Sequence, residues 1–107
     1  MTQLDPATLT SLTNEIDVNT GSIVSKTLRK SENLNLTLFA FDEGQGLSGH
    51  SSPMDAYVQV LEGKMRIQIG EDDFTLGESE MILMPAQVDH ALEALAPTKM
   101  LLTMVKI

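Results

Sequence analysis

Gly44–Gly63, GQGLSGHSSPMDAYVQVLEG, opens on a glycine-rich turn, places His50 at the start of a short polar segment and breaks at Pro53. It then runs through Tyr57-Val58-Gln59-Val60-Leu61, a β-prone series of branched and aromatic residues, and turns again at Glu62-Gly63. A shorter phrase answers it downstream, Met81-Ile82-Leu83-Met84-Pro85-Ala86-Gln87-Val88-Asp89-His90. The chain has 2 histidines, and each phrase holds one of them.

Outward from these phrases the period is that of strands. Lys64 to Ile69 alternates, with Met65, Ile67 and Ile69 inward and Lys64, Arg66 and Gln68 outward. Gly70-Glu71-Asp72-Asp73 closes a tight hairpin into Phe74-Thr75-Leu76. Met81–Met84 is a short apolar strand, His90–Leu95 another, and Lys99–Ile107 a final one after the Ala96-Pro97-Thr98 turn. Upstream, Ile23–Lys30 is β-compatible and joins the next strand through Ser31-Glu32-Asn33. In that next strand Leu34, Leu36, Leu38 and Ala40 share one face, while Asn35, Thr37, Phe39 and Phe41 share the other. A strand apolar on one face and partly apolar on the other predicts burial on both, in a sandwich or at a subunit contact. Asp5-Pro6 reads as a helix start, and Leu9, Leu12 and Ile16 recur at helical spacing, so one or two helical turns are expected there. Eight or nine short strands separated by turns predict an all-β sandwiched or closed domain over 21–107, preceded by a helical segment and turn over 1–20.

Composition narrows the function classes. At 107 residues the chain forms one domain with its own core. It has no cysteine, which excludes disulfides, thiol nucleophiles and thiolate metal sites. The net charge of −8 repels phosphate backbones, so nucleic acid is not an expected partner. No apolar run reaches the ~18 residues of a membrane span, and MTQLDPATLT lacks the basic and apolar blocks of a secretory signal. A cytoplasmic location without membrane association is expected. Glu71-Asp72-Asp73 is a solvated hairpin tip whose spacing forms no calcium loop.

The two phrases resemble the two motifs of the cupin superfamily, specifically a small single-domain cupin of the conserved-barrel type. Aligned on the closing Gly63, Gly44 opens the first motif and His50 matches its first histidine; Ser52 stands at the second histidine and Ala56 at the glutamate. In the second motif Ser79 replaces a glycine, Pro85 matches, Gln87 stands for the later glycine, His90 matches the histidine, and Ala94 takes the terminal asparagine position. The resemblance implies a cupin-type double-stranded β-helix, or jelly-roll barrel. It also implies that His50 and His90 face its cavity, with Ser52 beside them as a ligand-binding group. A divalent metal (Zn, Ni, Fe or Mn) held by His50, His90 and Asp55 would approximate a site of two histidines and one carboxylate. Asp55 is one residue off the inward register and reaches such a site only through a bulge at Pro53-Met54. Tyr57, by alternation from Ala56, faces outward and is read as packing rather than as the acid of metal-free sugar epimerases.

Three functions follow from this reading. The first is a module that encloses a small molecule without turnover, in a cavity lined by Val58, Val60, Met65 and Ile67. The second is an enzyme: a metal-dependent isomerase or dioxygenase, or a sugar epimerase. The third is a structural or regulatory module acting through its dimer surface. Met81, Met84, Met100 and Met104 form a candidate adaptable pocket wall. A homodimer is expected, because leucines inside the barrel leave Phe39 and Phe41 outside, with Tyr57, Leu61, Leu101, Val105 and Ile107 on the same register. Folding back of Leu9, Leu12 and Ile16 over that patch is the competing arrangement. Nothing in the sequence names a substrate or a catalytic residue.

Overall fold

The computed structural model describes residues 4–107, with the side chain of His50 outside the description. The described residues form nine strands: β1 Ile23–Lys30, β2 Leu34–Phe41, β3 Gly46–His50, β4 Asp55–Glu62, β5 Met65–Ile69, β6 Asp72–Leu76, β7 Met81–Met84, β8 His90–Ala94 and β9 Thr98–Val105. They form two sheets, one ordered β1-β2-β9-β4-β7 and one ordered β3-β8-β5-β6. Every ladder is antiparallel, and β3, β4 and β1 each carry a register shift. This is the expected all-β jelly roll. Among the described residues no helix is long and apolar enough to cross a membrane.

The core lies where the inner faces of the two sheets meet. Val58 and Val60 of β4 and Met100 of β9 pack toward Met65 and Ile67 of β5, all without exposed surface. Each such side chain contributes roughly 1.5–3 kcal/mol by leaving water. Alternation therefore assigned the inward residues of β4 and β5 correctly. The chain passes between the sheets at Gly63, whose φ of +94° suits glycine; a Cβ there would overlap the Pro97 carbonyl oxygen and crowd Thr98. Buried beneath this corner, the Thr98 hydroxyl accepts a hydrogen bond from the Lys64 N–H at 3.1 Å.

Two expectations are corrected here. The N-terminal helix is a single 3-10 turn at Leu12–Asn14, and Leu9 is fully exposed. The rest of that segment lies as a strap across the outer face of the five-stranded sheet. Ile16 is buried with Leu28, Leu38 and Ala40, and Leu4, Leu12, Val18, Leu36, Leu61 and Leu101 pack around them. Two lysines pin the strap: Lys26 donates to the Glu15 carboxylate at 3.0 Å, and Lys99 to the Thr13 carbonyl at 2.6 Å.

The second correction concerns β2. Phe39 and Phe41 point into the core between the sheets, with ring centroids 5.8 Å apart, while Leu36 and Leu38 face the strap. Alternation separates the faces of a strand apolar on both, but it does not say which is inside. The phenylalanines therefore form no outer patch. Strand β3 is also new relative to the sequence, where Gly46–His50 reads as turn and polar segment.

Candidate functional site

His90, Leu92 and Ala94 alternate along β8 and are buried against the opposite sheet, so the first residue of the strand projects an imidazole into an otherwise apolar interior. In backbone register His90 sits between Ile69 of β5 and His50 of β3. Strand β3 reaches that position through a close approach at Gly46, where a Cβ would overlap the Leu92 carbonyl oxygen. A one-residue bulge between Leu47 and His50 then resets the register.

Beside His90 is a cavity of about 50 Å³. Its walls are Met84, Met100 and Met104, the leucines Leu47, Leu92 and Leu102, and Ala56; Ser52 and His90 are its polar lining. The resemblance anticipated Ser52 and His90, and three of the four candidate methionines, Met84, Met100 and Met104, stand in the wall. Val58, Val60, Met65 and Ile67, expected to line the cavity, are filled core instead. Met81, fourth of the candidate methionines, is 57% exposed on the opposite side of β7. The signal for the true wall was the alternation Met100, Leu102, Met104 in β9.

The rim is built by hydrogen bonds between two loops. Ser52 accepts the Gln87 N–H on its carbonyl at 2.8 Å, and its hydroxyl accepts the Met54 N–H at 3.1 Å. Asp55, on the face of β4 opposite Ala56, accepts the Ala86 N–H on its carboxylate at 2.8 Å. Together these contacts clamp the Pro85–Gln87 turn over the residues between β3 and β4. Asp55 is thereby engaged at the rim and does not line the cavity.

The positions that match the metal motif do converge here, since Ser52, Ala56 and His90 share one cavity. Their chemistry does not fit a complete metal centre, because a hydroxyl and a methyl stand where donors are required. Among the described residues no group of three or more His, Asp or Glu is placed to hold a metal ion. The His50 side chain lies outside those residues.

Two shallower depressions lie nearby. One, of about 120 Å³, runs along Gly49, Gln68, Gly70, Asp89 and Ala91 and touches His90. The other lies beside Arg66 and Glu93. Asp73, by its hydrogen bond and then by its charge, holds the Arg66 guanidinium above its ordinary pKa.

The family model of the cupin domain matches residues 37–106. A conserved protein of unknown function from Streptococcus pyogenes is 36% identical over 98% of this chain and 92% of its own, with a TM-score of 0.92. A cupin 2 conserved barrel domain protein from Leptotrichia buccalis is likewise 36% identical, over 89% of this chain and 46% of its own, with a TM-score of 0.86. A cupin superfamily protein from Desulfitobacterium hafniense shares the fold at 22% identity and a TM-score of 0.89, over 96% of this chain and 94% of its own. No curated protein matches the chain.

Proposed function

This chain belongs to the cupin domain family, and from that membership we propose that it binds a small molecule in its barrel without turning it over. The ligand is neutral and largely apolar, and it carries one hydrogen-bonding group. That group meets His90 and Ser52, with His50 across the strand pair, while the remainder contacts the methionine and leucine wall. The observation that carries this reading is the composition of the cavity: two polar side chains, one imidazole and one hydroxyl, against seven apolar ones. A sugar presents hydroxyls on several sides, and such a wall would leave most of them without partners. A carboxylate ligand would meet no fixed cation among the described lining residues. The cavity of about 50 Å³ admits a ligand of a few heavy atoms as it stands. Unbranched methionines have the rotamer freedom to enlarge it.

One observation favours a second reading. The register that sets His50 directly across from His90 suits a metal held by two histidines, as in the isomerase and dioxygenase members of the superfamily. That reading needs a further donor, and the Asp55 carboxylate is already engaged by Ala86.

Methyl NMR of methionine-labelled protein tests the proposal with 1-butanol, glucose and acetate as probes. Butanol is expected to shift the Met84, Met100 and Met104 signals saturably, leaving Met81 unchanged, and Ser52→Ala is expected to weaken the response. Shifts with glucose or acetate but not with butanol would contradict the reading.

A further inference from the structure

The cavity sits at one end of the sandwich. Ala56 pairs with Met84 on one side and with Met104 on the other, so these three cavity residues stand at one level of the sheet. Further along β4 and β5 the interior is filled, since Val58, Val60, Met65 and Ile67 have no exposed surface. A molecule entering from that side would have to displace close-packed core. At the near end it meets two chain segments instead, residues 51–54 between β3 and β4 and residues 85–89 between β7 and β8.

A pair of hydrogen bonds ties these segments together. The Gln87 N–H donates to the Ser52 carbonyl at 2.8 Å, and the Ala86 N–H donates to the Asp55 carboxylate at 2.8 Å. The donors are consecutive residues, so a movement of the turn that breaks one bond strains the other. Neither bond belongs to a sheet ladder, because the β4–β7 pairing ends at Ala56 and Met84. Contacts outside the ladders open locally at far lower cost than core strands do. Gln87 also makes its bond at φ +68°, so its partners hold the turn against the residue's own preference.

We propose that the two segments form a gate to the cavity and that Asp55 is its latch. Closed, the gate holds Ser52 in the cavity lining and keeps bulk water out. Open, with the Ala86 and Gln87 bonds broken as a unit, it admits a small molecule. Asp55 acts here as a positioning residue, since it does not itself line the cavity. Ser52 belongs to both parts, through its carbonyl in the gate and as a lining residue of the cavity. The inference rests on reading the cavity as a binding site, but access can be measured without the ligand.

Hydrogen peroxide is the probe, being small enough for a cavity of about 50 Å³. It transfers one oxygen to a thioether, which becomes the sulfoxide, and leaves as water. Met84 and Met100 line the cavity and are buried, Met65 is buried in the core away from it, and Met81 is exposed. Peptide mass spectrometry reads each rate on the full chain. In Asp55→Ala, Met84 and Met100 are expected to oxidise about 2- to 10-fold faster than in the wild type, the effect of one lost hydrogen bond on the open fraction. Met65 and Met81 are expected to keep their wild-type rates. Unchanged rates at Met84 and Met100 would overturn the proposal, and so would a matching rise at Met65, which reports global unfolding. Failure of butanol to bind would count against the ligand reading alone, because peroxide needs no binding site. Should Asp55→Ala fail to fold, amide exchange of the wild type supplies the readout. Ala86 and Gln87 are expected to share one opening equilibrium, and protection factors that differ several-fold would refute a gate that moves as a unit.

Discussion

Gly63 and Gln87 occupy the same left-handed backbone region with opposite consequences. At Gly63 the positive φ comes with crowding by Pro97 and Thr98, so glycine is the residue that fits. Gln87, at φ +68°, and Ser79, at φ +70°, carry side chains through a conformation that costs an L-residue roughly 1–2 kcal/mol. Both stand where the motif has glycine, so this departure was legible in the sequence, although its backbone cost was not. Gln87→Gly removes that strain but frees the unfolded chain. The net expectation is a gain of roughly 0.5–1 kcal/mol. Gly63→Ala is expected to lose about 1–3 kcal/mol, from strain together with overlap. Urea midpoints measure both, and a destabilised Gln87→Gly protein would show that the side chain has a role at the rim which strain alone does not describe.

At the level of elements, the strands with one apolar face were the legible ones. Met65 and Ile67 could only point inward, because Arg66 and Gln68 between them are polar. In β2 both faces are apolar, and the choice between them depended on the strap, whose helical spacing of Leu9, Leu12 and Ile16 pointed to a helix rather than to an extended cover. Strand β3 hid for a different reason. Gly46, Ser48 and Gly49 have low strand propensity, and pairing with β8, not local preference, makes the segment extended. The strap itself discriminates a helix from what is observed. A helical face would use Leu9 and Ile16 alike, whereas Leu9 is fully exposed and Ile16 only 5% exposed. Ile16→Ala is therefore expected to cost about 2–5 kcal/mol. Leu9→Ala is expected to stay within about 0.5 kcal/mol of wild type. Equal losses in thermal or urea unfolding would return the segment to a helix packed on one face.

For the whole molecule, the two phrases around His50 and His90 carried the fold, because a jelly roll brings distant strand ends to one cavity. They conveyed less about the chemistry. Ser52 and Ala56 reach positions that donors take in the motif, which keeps the shape of a metal pocket while removing two of its donors. Most of the wall beside them comes from β7, β8 and β9, outside the first motif, with Leu47 and Ala56 from within it; its methionines were candidates in the sequence and its leucines were not. Asp55 likewise looked like a spare ligand in sequence and is a rim clamp in three dimensions. A pocket held together by hydrogen bonds and apolar contacts, rather than by a resident ion, is the central claim. Elemental analysis of the purified protein, beside zinc, nickel, iron and manganese titrations of the wild type and of His50→Ala and His90→Ala, tests it most directly. The account predicts no stoichiometric metal in the wild type and no difference in metal uptake among the three proteins. One metal per chain, lost in either histidine variant, would contradict it.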